Sequence, residues 1–265
     1  MHKQPSIGVI IPAAGSSTRF GQKDKLAEDI GGRPLLIRTV EFFTKCEAVR
    51  DIVVAGPPEH FDDFKEKFAP TLSFHGVRIV EGDAQSRALS VLNALSAMSP
   101  DVTHIAVHDA ARPAVNTELF ERLILASREC LAVVPAIPLN DTVKRADASN
   151  VTVSDDDAIA DSILGDDTKQ TVDTHRVTET VDREGLFAIQ TPQLFEADLL
   201  RRAYQQDSLD ECTDDASVVE KLGEPVYLVE GDSRNIKVTR FQDLKLIKAI
   251  MGIREPSERS AHKRF

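Results

Sequence analysis

Ile7-Gly8-Val9-Ile10-Ile11-Pro12-Ala13-Ala14-Gly15-Ser16-Ser17-Thr18-Arg19 is the stretch from which the fold is read. Its first five residues form a short, continuous apolar run stopped by Pro12, the pattern of a strand buried on both faces of a parallel sheet. The run feeds a loop of small residues, Ala13, Ala14 and Gly15 among them. Such a backbone can approach a ligand closely, and its consecutive N–H groups can form an anion-binding nest. Arg19 and, further on, Lys25 are cations able to neutralise phosphates. Neither GxxxxGK[ST] nor GxGxxG is present, so the loop is neither a P-loop nor a dinucleotide fingerprint. By composition alone it is equally a small-residue turn with two solvated cations.

Outward from this stretch, strand-like and helix-like runs alternate. Pro34 to Lys45 reads as a helix with Pro at its start and Leu36, Val40 and Phe43 on one face. Strands are expected over Ile52–Ala55, Val77–Val80, His104–His108 and Leu131–Pro135, and helices over Glu59–Phe68, Ser86–Ala97 and Thr117–Arg128. This alternation implies an α/β fold of Rossmann-like kind, a mostly parallel sheet with helices on both faces. The sheet pattern resumes at Leu186–Ile189, Val226–Val229 and Ile236–Val238, with helices over Ala197–Gln205, Asp214–Leu222 and Gln242–Met251, and a charged tail from Gly252. Residues 1–251 are expected to form one domain.

The composition narrows the class. At 265 residues, with 42% hydrophobic and 28% charged residues, the chain can bury a core without disulfides or a structural metal. Tryptophan is absent, leaving the core to aliphatic residues and twelve Phe. The net charge of −11 argues against nucleic acid as a partner, which needs clustered Lys and Arg. Most of that charge sits in residues 146–180, which hold nine acidic and two basic residues and lack sustained periodicity. A solvated loop or an extended arm is the natural reading there, and the spacing of a calcium-binding EF-hand loop is missing. The three cysteines show no metal-ligand spacing and read as reduced thiols. No membrane span or signal peptide is visible, so the cytoplasm is the expected compartment.

A second motif, Val107-His108-Asp109-Ala110-Ala111-Arg112-Pro113, lies at the carboxyl end of an expected strand, where open α/β sheets place their ligands. Asp109 there suits Mg²⁺, a hard cation that takes one or two carboxylates plus phosphate oxygens. Arg112 suits a second phosphate, and His108 reads as a core residue. Lys144, Arg145, Arg183 and Lys237 are, singly, surface charges.

Together with the first loop, Gly32-Arg33-Pro34, VHDAARP at 107–113, DTVKR at 141–145, TVDREGL at 180–186, QTPQLF at 190–195, TDDAS at 213–217 and NIKVTR at 235–240 carry a resemblance. In this order they resemble the 2-C-methyl-D-erythritol 4-phosphate cytidylyltransferases, nucleotidyltransferases of the non-mevalonate isoprenoid pathway. The resemblance implies CTP and a small polyol phosphate as substrates, with Mg²⁺ as cofactor. It implies nucleotide binding by Ala13, Ala14, Gly15, Arg19, Lys25, Gly82 and Ser90, with Asp109 near the metal. Arg112, Thr142, Arg183, Thr213 and Lys237 would surround the polyol phosphate, and Arg19, Lys25, Arg183 and Lys237 would carry the catalytic charge. It also implies a homodimer with an extended dimerisation arm from Thr142 to Arg183. Ser17 replaces a usual glycine, residues 81–87 are longer than the usual glycine pair leading to the arginine, and the acidic stretch exceeds the family's compact arm. Ribitol-5-phosphate cytidylyltransferases are a neighbouring possibility, disfavoured by Ala110-Ala111. A sugar-1-phosphate nucleotidyltransferase and a non-catalytic nucleotide-binding scaffold fit less well.

Overall fold

The computed structural model describes residues 4–15, 20, 24–153 and 172–253. The chain divides into two compact units, Met1–Ile137 with Ile189–Phe265, and Pro138–Ala188.

In the first unit, β1 (Ile7–Pro12) pairs in parallel with β2 (Val49–Gly56) and β4 (His104–Val107), and β2 with β3 (Arg78–Glu81). With β5 (Ala132–Pro138), β9 (Gln193–Glu196) and β10 (Tyr227–Glu230), the strand order is β10-β5-β9-β4-β1-β2-β3. Along this order β9 is the one strand that runs antiparallel, between β4 and β5, and β8 (Phe187–Ile189) lies off it. Pro12 lies opposite Ala55, Gly56 opposite Glu81 and Ile10 opposite Val107, so the loops after β1, β3 and β4 leave the same edge of the sheet. That shared edge is what brings the two sequence motifs together.

Alternate residues of each central strand enter opposite cores, as the period of two requires. Ile7, Val9 and Ile11 pack with α1 (Leu35–Phe43), α2 (Phe61–Phe74), α4 (Thr117–Ala126) and α7 (Asp243–Ile250) on one face. Ile10, Val53 and Val107 pack with α3 (Arg87–Ala97), α5 (Ala197–Ala203) and α6 (Asp215–Lys221) on the other. The expected α/β architecture is therefore present. Phe42, Phe43 and Phe120 meet edge to face at 5.0–5.9 Å, doing the work of the missing tryptophans. Among the described residues, no helix is long and apolar enough to cross a membrane.

Two expectations are corrected, and two further elements lie where the apolar pattern gives no signal. The helix expected to end at Phe68 runs on to Phe74 through Pro70, because Leu72 extends the buried stripe of Phe64 and Phe68, while Pro70 faces solvent. Ile236–Val238 is not a strand; the segment turns through Asn235 N–H to the Asp232 carbonyl and anchors once, by Val238 N–H to the Ala111 carbonyl. Strand β9 has no forerunner in the apolar pattern, since it opens with Gln193 after Pro192. Finally, part of the stretch 146–180 is regular. In the second unit β6 (Val143–Val153) and β7 (Val172–Val181) form an antiparallel ladder from Val143–Val181 to Val153–Val172, interrupted by irregularities around Ala146. Polar residues interrupt both alternate sets of positions in their sequences, which hides the period of two that marks a half-buried strand. Residues 154–171, with most of the acidic cluster, and the tail from 254 lie outside the described residues.

Candidate active site

The cleft sits where the three loops meet. Its cavity of about 330 Å³ is lined by Ala13, Ala14 and Gly15 from the first loop, Lys25, residues 83–87 with Ser90, Asp109 to Ala111, and Lys237.

Each wall is built by local chemistry. After β1, Ala13 N–H donates to the Ala55 carbonyl at 2.8 Å, so the loop leaves the sheet still tied to β2. Ala13 and Ala14 are buried and Gly15 exposed. Lys25 opens a short 3-10 turn whose Leu26 N–H donates to the Asp24 carboxylate at 3.1 Å. After β3, Gly82 is a glycine for want of space: a Cβ there would lie 2.7 Å from the Ala14 Cβ and 2.9 Å from the Ser90 hydroxyl. Ser90 is buried in α3 and accepts from the Asp83 N–H at 2.9 Å, which shapes the turn at 83–86. Asp83 in turn accepts from Gln85 and Ser86 N–H groups, and Ser86 caps α3. Gly82 thus supports the floor, while Asp83 to Arg87 face the cavity.

The loop after β4 carries the charge. Asp109 is 8% exposed; its Oδ2 lies 3.0 Å from Lys237 Nζ and 3.1 Å from Arg112 Nε, and its Oδ1 lies 3.8 Å from Arg87. Burial alone would raise its pKa, but Lys237, Arg87 and Arg112 together hold it well below the ordinary carboxylate range. Asp109 is ionised at any physiological pH. Its backbone is fixed as well. Asp109 N–H donates to Thr191 Oγ1 at 3.0 Å, and that hydroxyl lies 3.1 Å from His108 Nδ1. The Arg112 carbonyl, 3.0 Å from Nε2, can only accept, so His108 carries its proton on Nε2 and its Nδ1 takes the Thr191 hydroxyl hydrogen. Fully buried against Phe43, His108 has its pKa pushed down to about 4 by burial and stays neutral. The core role expected of it holds.

The other expected site residues divide. Lys237 lines the cleft and its neighbours, Asn235 and Val238, are fully buried. Arg112 is drawn inward: besides Asp109 it donates to the Asn235 carbonyl at 2.8 Å, and it braces the carboxylate and does not line the cavity. Thr213 is exposed ahead of α6 and does not line it either. Thr142 and Arg183 belong to the second unit, where both are exposed and Arg183 donates to the Asn140 carbonyl. Arg19 lies outside the described residues. Reading the sequence missed Arg87 as a cleft cation, although its place just after the Ser86 cap marks it as the first residue of a helix facing the strand ends.

A Mg²⁺ ion fits this donor set. Asp109 offers one ionised carboxylate facing the cavity, and a bound ion would need its remaining oxygens from phosphate and water. Among the described residues there is no cluster of three His, Cys, Asp or Glu that would build a closed protein cage.

Small-residue backbone, an ionised buried carboxylate and convergent cations at the carboxyl ends of parallel strands suit a nucleoside triphosphate. The fold and cleft define the class as an α/β nucleotidyltransferase. Known proteins narrow it. The family model of 2-C-methyl-D-erythritol 4-phosphate cytidylyltransferase matches residues 7–161 and 156–253, its two matches meeting within the acidic stretch. A protein of that name from Frankia casuarinae is 38% identical over 256 residues, covering 96% of this chain and 84% of its own. Another from Chromobacterium violaceum is 39% identical over 251 residues, covering 93% and 98%. The crystal structure of a 4-diphosphocytidyl-2C-methyl-D-erythritol synthase superposes with a TM-score of 0.69 at 31% identity, over 94% of this chain and 99% of that one. The Thermus thermophilus cytidylyltransferase does so with a TM-score of 0.67 at 30% identity, covering 92% and 98%. The chain belongs to the 2-C-methyl-D-erythritol 4-phosphate cytidylyltransferase family.

Proposed function

We propose that this chain transfers the cytidylyl group of CTP to 2-C-methyl-D-erythritol 4-phosphate, giving 4-diphosphocytidyl-2-C-methyl-D-erythritol and pyrophosphate. The observation that carries it is Asp109, held ionised by Lys237 and Arg112 beside the small-residue loop in one cleft. A phosphate oxygen of the acceptor attacks the α-phosphorus of CTP, and pyrophosphate leaves in line. That nucleophile is already anionic at neutral pH, so no general base is required. What remains for the protein is positioning and charge stabilisation. The backbone of Ala13 to Gly15 lies against the triphosphate, and Lys25 and Arg19 neutralise it. Asp83, Ala84 and Ser86 border the nucleoside. Lys237 orients the acceptor phosphate, with Thr213 and Arg112 supporting its surroundings. Mg²⁺ held by Asp109 would neutralise charge on the phosphates as the bond to pyrophosphate breaks.

The chain acts as a homodimer, the β6–β7 ladder with its exposed Val177 supporting the reading of an extended arm. Its net charge of −11 favours small phosphorylated ligands over nucleic acid. Pyrophosphate release with CTP, 2-C-methyl-D-erythritol 4-phosphate and Mg²⁺ tests the activity. Lys25→Ala and Lys237→Ala are each expected to lower turnover by ~10²–10³, the scale for one preorganised electrostatic contact. Wild-type turnover in either variant removes that residue from the mechanism.

A further inference from the structure

Beside the cleft, and unused by the transfer described above, a buried pair holds Arg87. Arg87 opens α3 and lines the cavity. Its Nη2 donates to Asp215 Oδ2 at 2.7 Å. Asp215 is fully buried, and its Oδ1 accepts from the Tyr204 hydroxyl at 2.6 Å, with Tyr204 itself buried. The Asp214–Ser217 capping box and the Gln193 bonds to Asp214 and Ala216 fix the backbone on which Asp215 stands. Replacing a buried ion pair by apolar residues is often neutral for stability, so stability alone gives no reason for this one.

Asp109 uses its two oxygens unequally. Oδ2 takes both Lys237 and Arg112, whereas Oδ1 stands 3.8 Å from Arg87, beyond hydrogen-bonding range. Freed from Asp215, the Arg87 guanidinium would be drawn onto Oδ1 and occupy the oxygen a cation needs. We propose that Asp215, braced by Tyr204, is a positioning residue that tethers Arg87 away from Asp109 and keeps Oδ1 open to the divalent cation. This rests on the reading that Asp109 holds the metal.

The test is calorimetric. The affinity of the full-length protein for Mn²⁺-saturated CTP, divided by its affinity for metal-free CTP in chelator, isolates the contribution of the metal. Asp215→Asn is expected to lower that ratio about tenfold, the effect of closing the Arg87–Asp109 gap to a hydrogen bond at an effective dielectric near 20. A merely structural role would weaken both affinities alike and leave the ratio unchanged. Asp215→Asn with Arg87→Gln removes the competitor together with its tether and is expected to restore the ratio. Tyr204→Phe, which keeps the packing, is expected to lower it about twofold, and it carries the test should Asp215→Asn not fold. A wild-type ratio in Asp215→Asn, or in Tyr204→Phe where that variant carries the test, overturns the proposal, as does a double variant no better than Asp215→Asn. Asp109→Asn separates the two claims. If it alone loses the ratio, the metal assignment stands and the tether falls; if it keeps the wild-type ratio, both fall.

Discussion

Replacing Gly82 by alanine tests the construction of the nucleotide wall. Gly82 does not need a left-handed backbone; it needs room. The added methyl would meet the Ala14 Cβ at 2.7 Å, the Ser90 Oγ at 2.9 Å and the Gly56 carbonyl oxygen at 3.0 Å. The Ala14 Cβ and the Gly56 oxygen are fixed to backbone and cannot rotate away. Ser90 can, but only by giving up its bond to Asp83 N–H at 2.9 Å. Relief therefore requires the first loop and the turn at 83–86 to separate by about 1 Å. Overpacking of this kind costs about 1–3 kcal/mol, and the lost hydrogen bond adds about 1 kcal/mol. For a chain of this size that is a fall in Tm of roughly 4–12 °C. The same displacement moves Ala14 and Asp83 on opposite walls of the cleft, so KM for CTP is expected to rise about tenfold while KM for the acceptor changes little. Thermal melts and steady-state kinetics read both. Unchanged Tm and KM for CTP would refute the steric argument.

Thr191→Val removes the hydroxyl that accepts from Asp109 N–H and donates to His108, leaving two buried polar groups unpaired. A loss of about 1–3 kcal/mol in denaturant unfolding and a fall in turnover of about tenfold are expected. The Asp232 carboxylate is held down to about 2, first by hydrogen bonds from Arg234 and with help from Asn116. A depressed carboxylate contributes stability above its unfolded pKa and loses it as the pH falls towards the folded value. Asp232→Asn is therefore expected to cost about 1–2 kcal/mol at pH 7, allowing for the exposed Arg234 end, and the difference should shrink between pH 4 and pH 2. A gap that widens on acidification contradicts this. Val153 faces Val172 at the end of the described β6–β7 ladder, so an Asn-Gly turn in place of residues 154–171 can close it. Turnover within about twofold of wild type and an unchanged number of subunits in solution are expected, and loss of either assigns the acidic stretch a role in catalysis or assembly.

Much of this molecule is legible in its sequence because its central strands are buried on both faces. Continuous apolar runs such as Ile7–Ile11 and Ile105–Val107 announce themselves, and the turn chemistry after each places Gly15 and Asp109 at one sheet edge. What the sequence conceals depends on partners far along the chain. β9 is specified by Gln193 reaching Asp214 and Ala216, which no local periodicity shows. The β6–β7 ladder joins residues more than 30 positions apart at its base, and polar residues break the alternation in both sequences. Ile236–Val238 has the composition of a strand but is held open by single bonds, which lets Lys237 reach Asp109. Arg112 and Arg87 are both cations beside Asp109 in space, yet only contacts to Asn235 and Asp215 show that one braces the carboxylate while the other lines the cleft.

The central claim is the reaction, and the most direct measurement is pyrophosphate release from CTP with two acceptors, 2-C-methyl-D-erythritol 4-phosphate and ribitol 5-phosphate, with product mass read in parallel. The account predicts rapid release with the first alone and a product carrying one added cytidylyl group. Release with ribitol 5-phosphate in preference would contradict the acceptor, and silence with both would contradict the reaction.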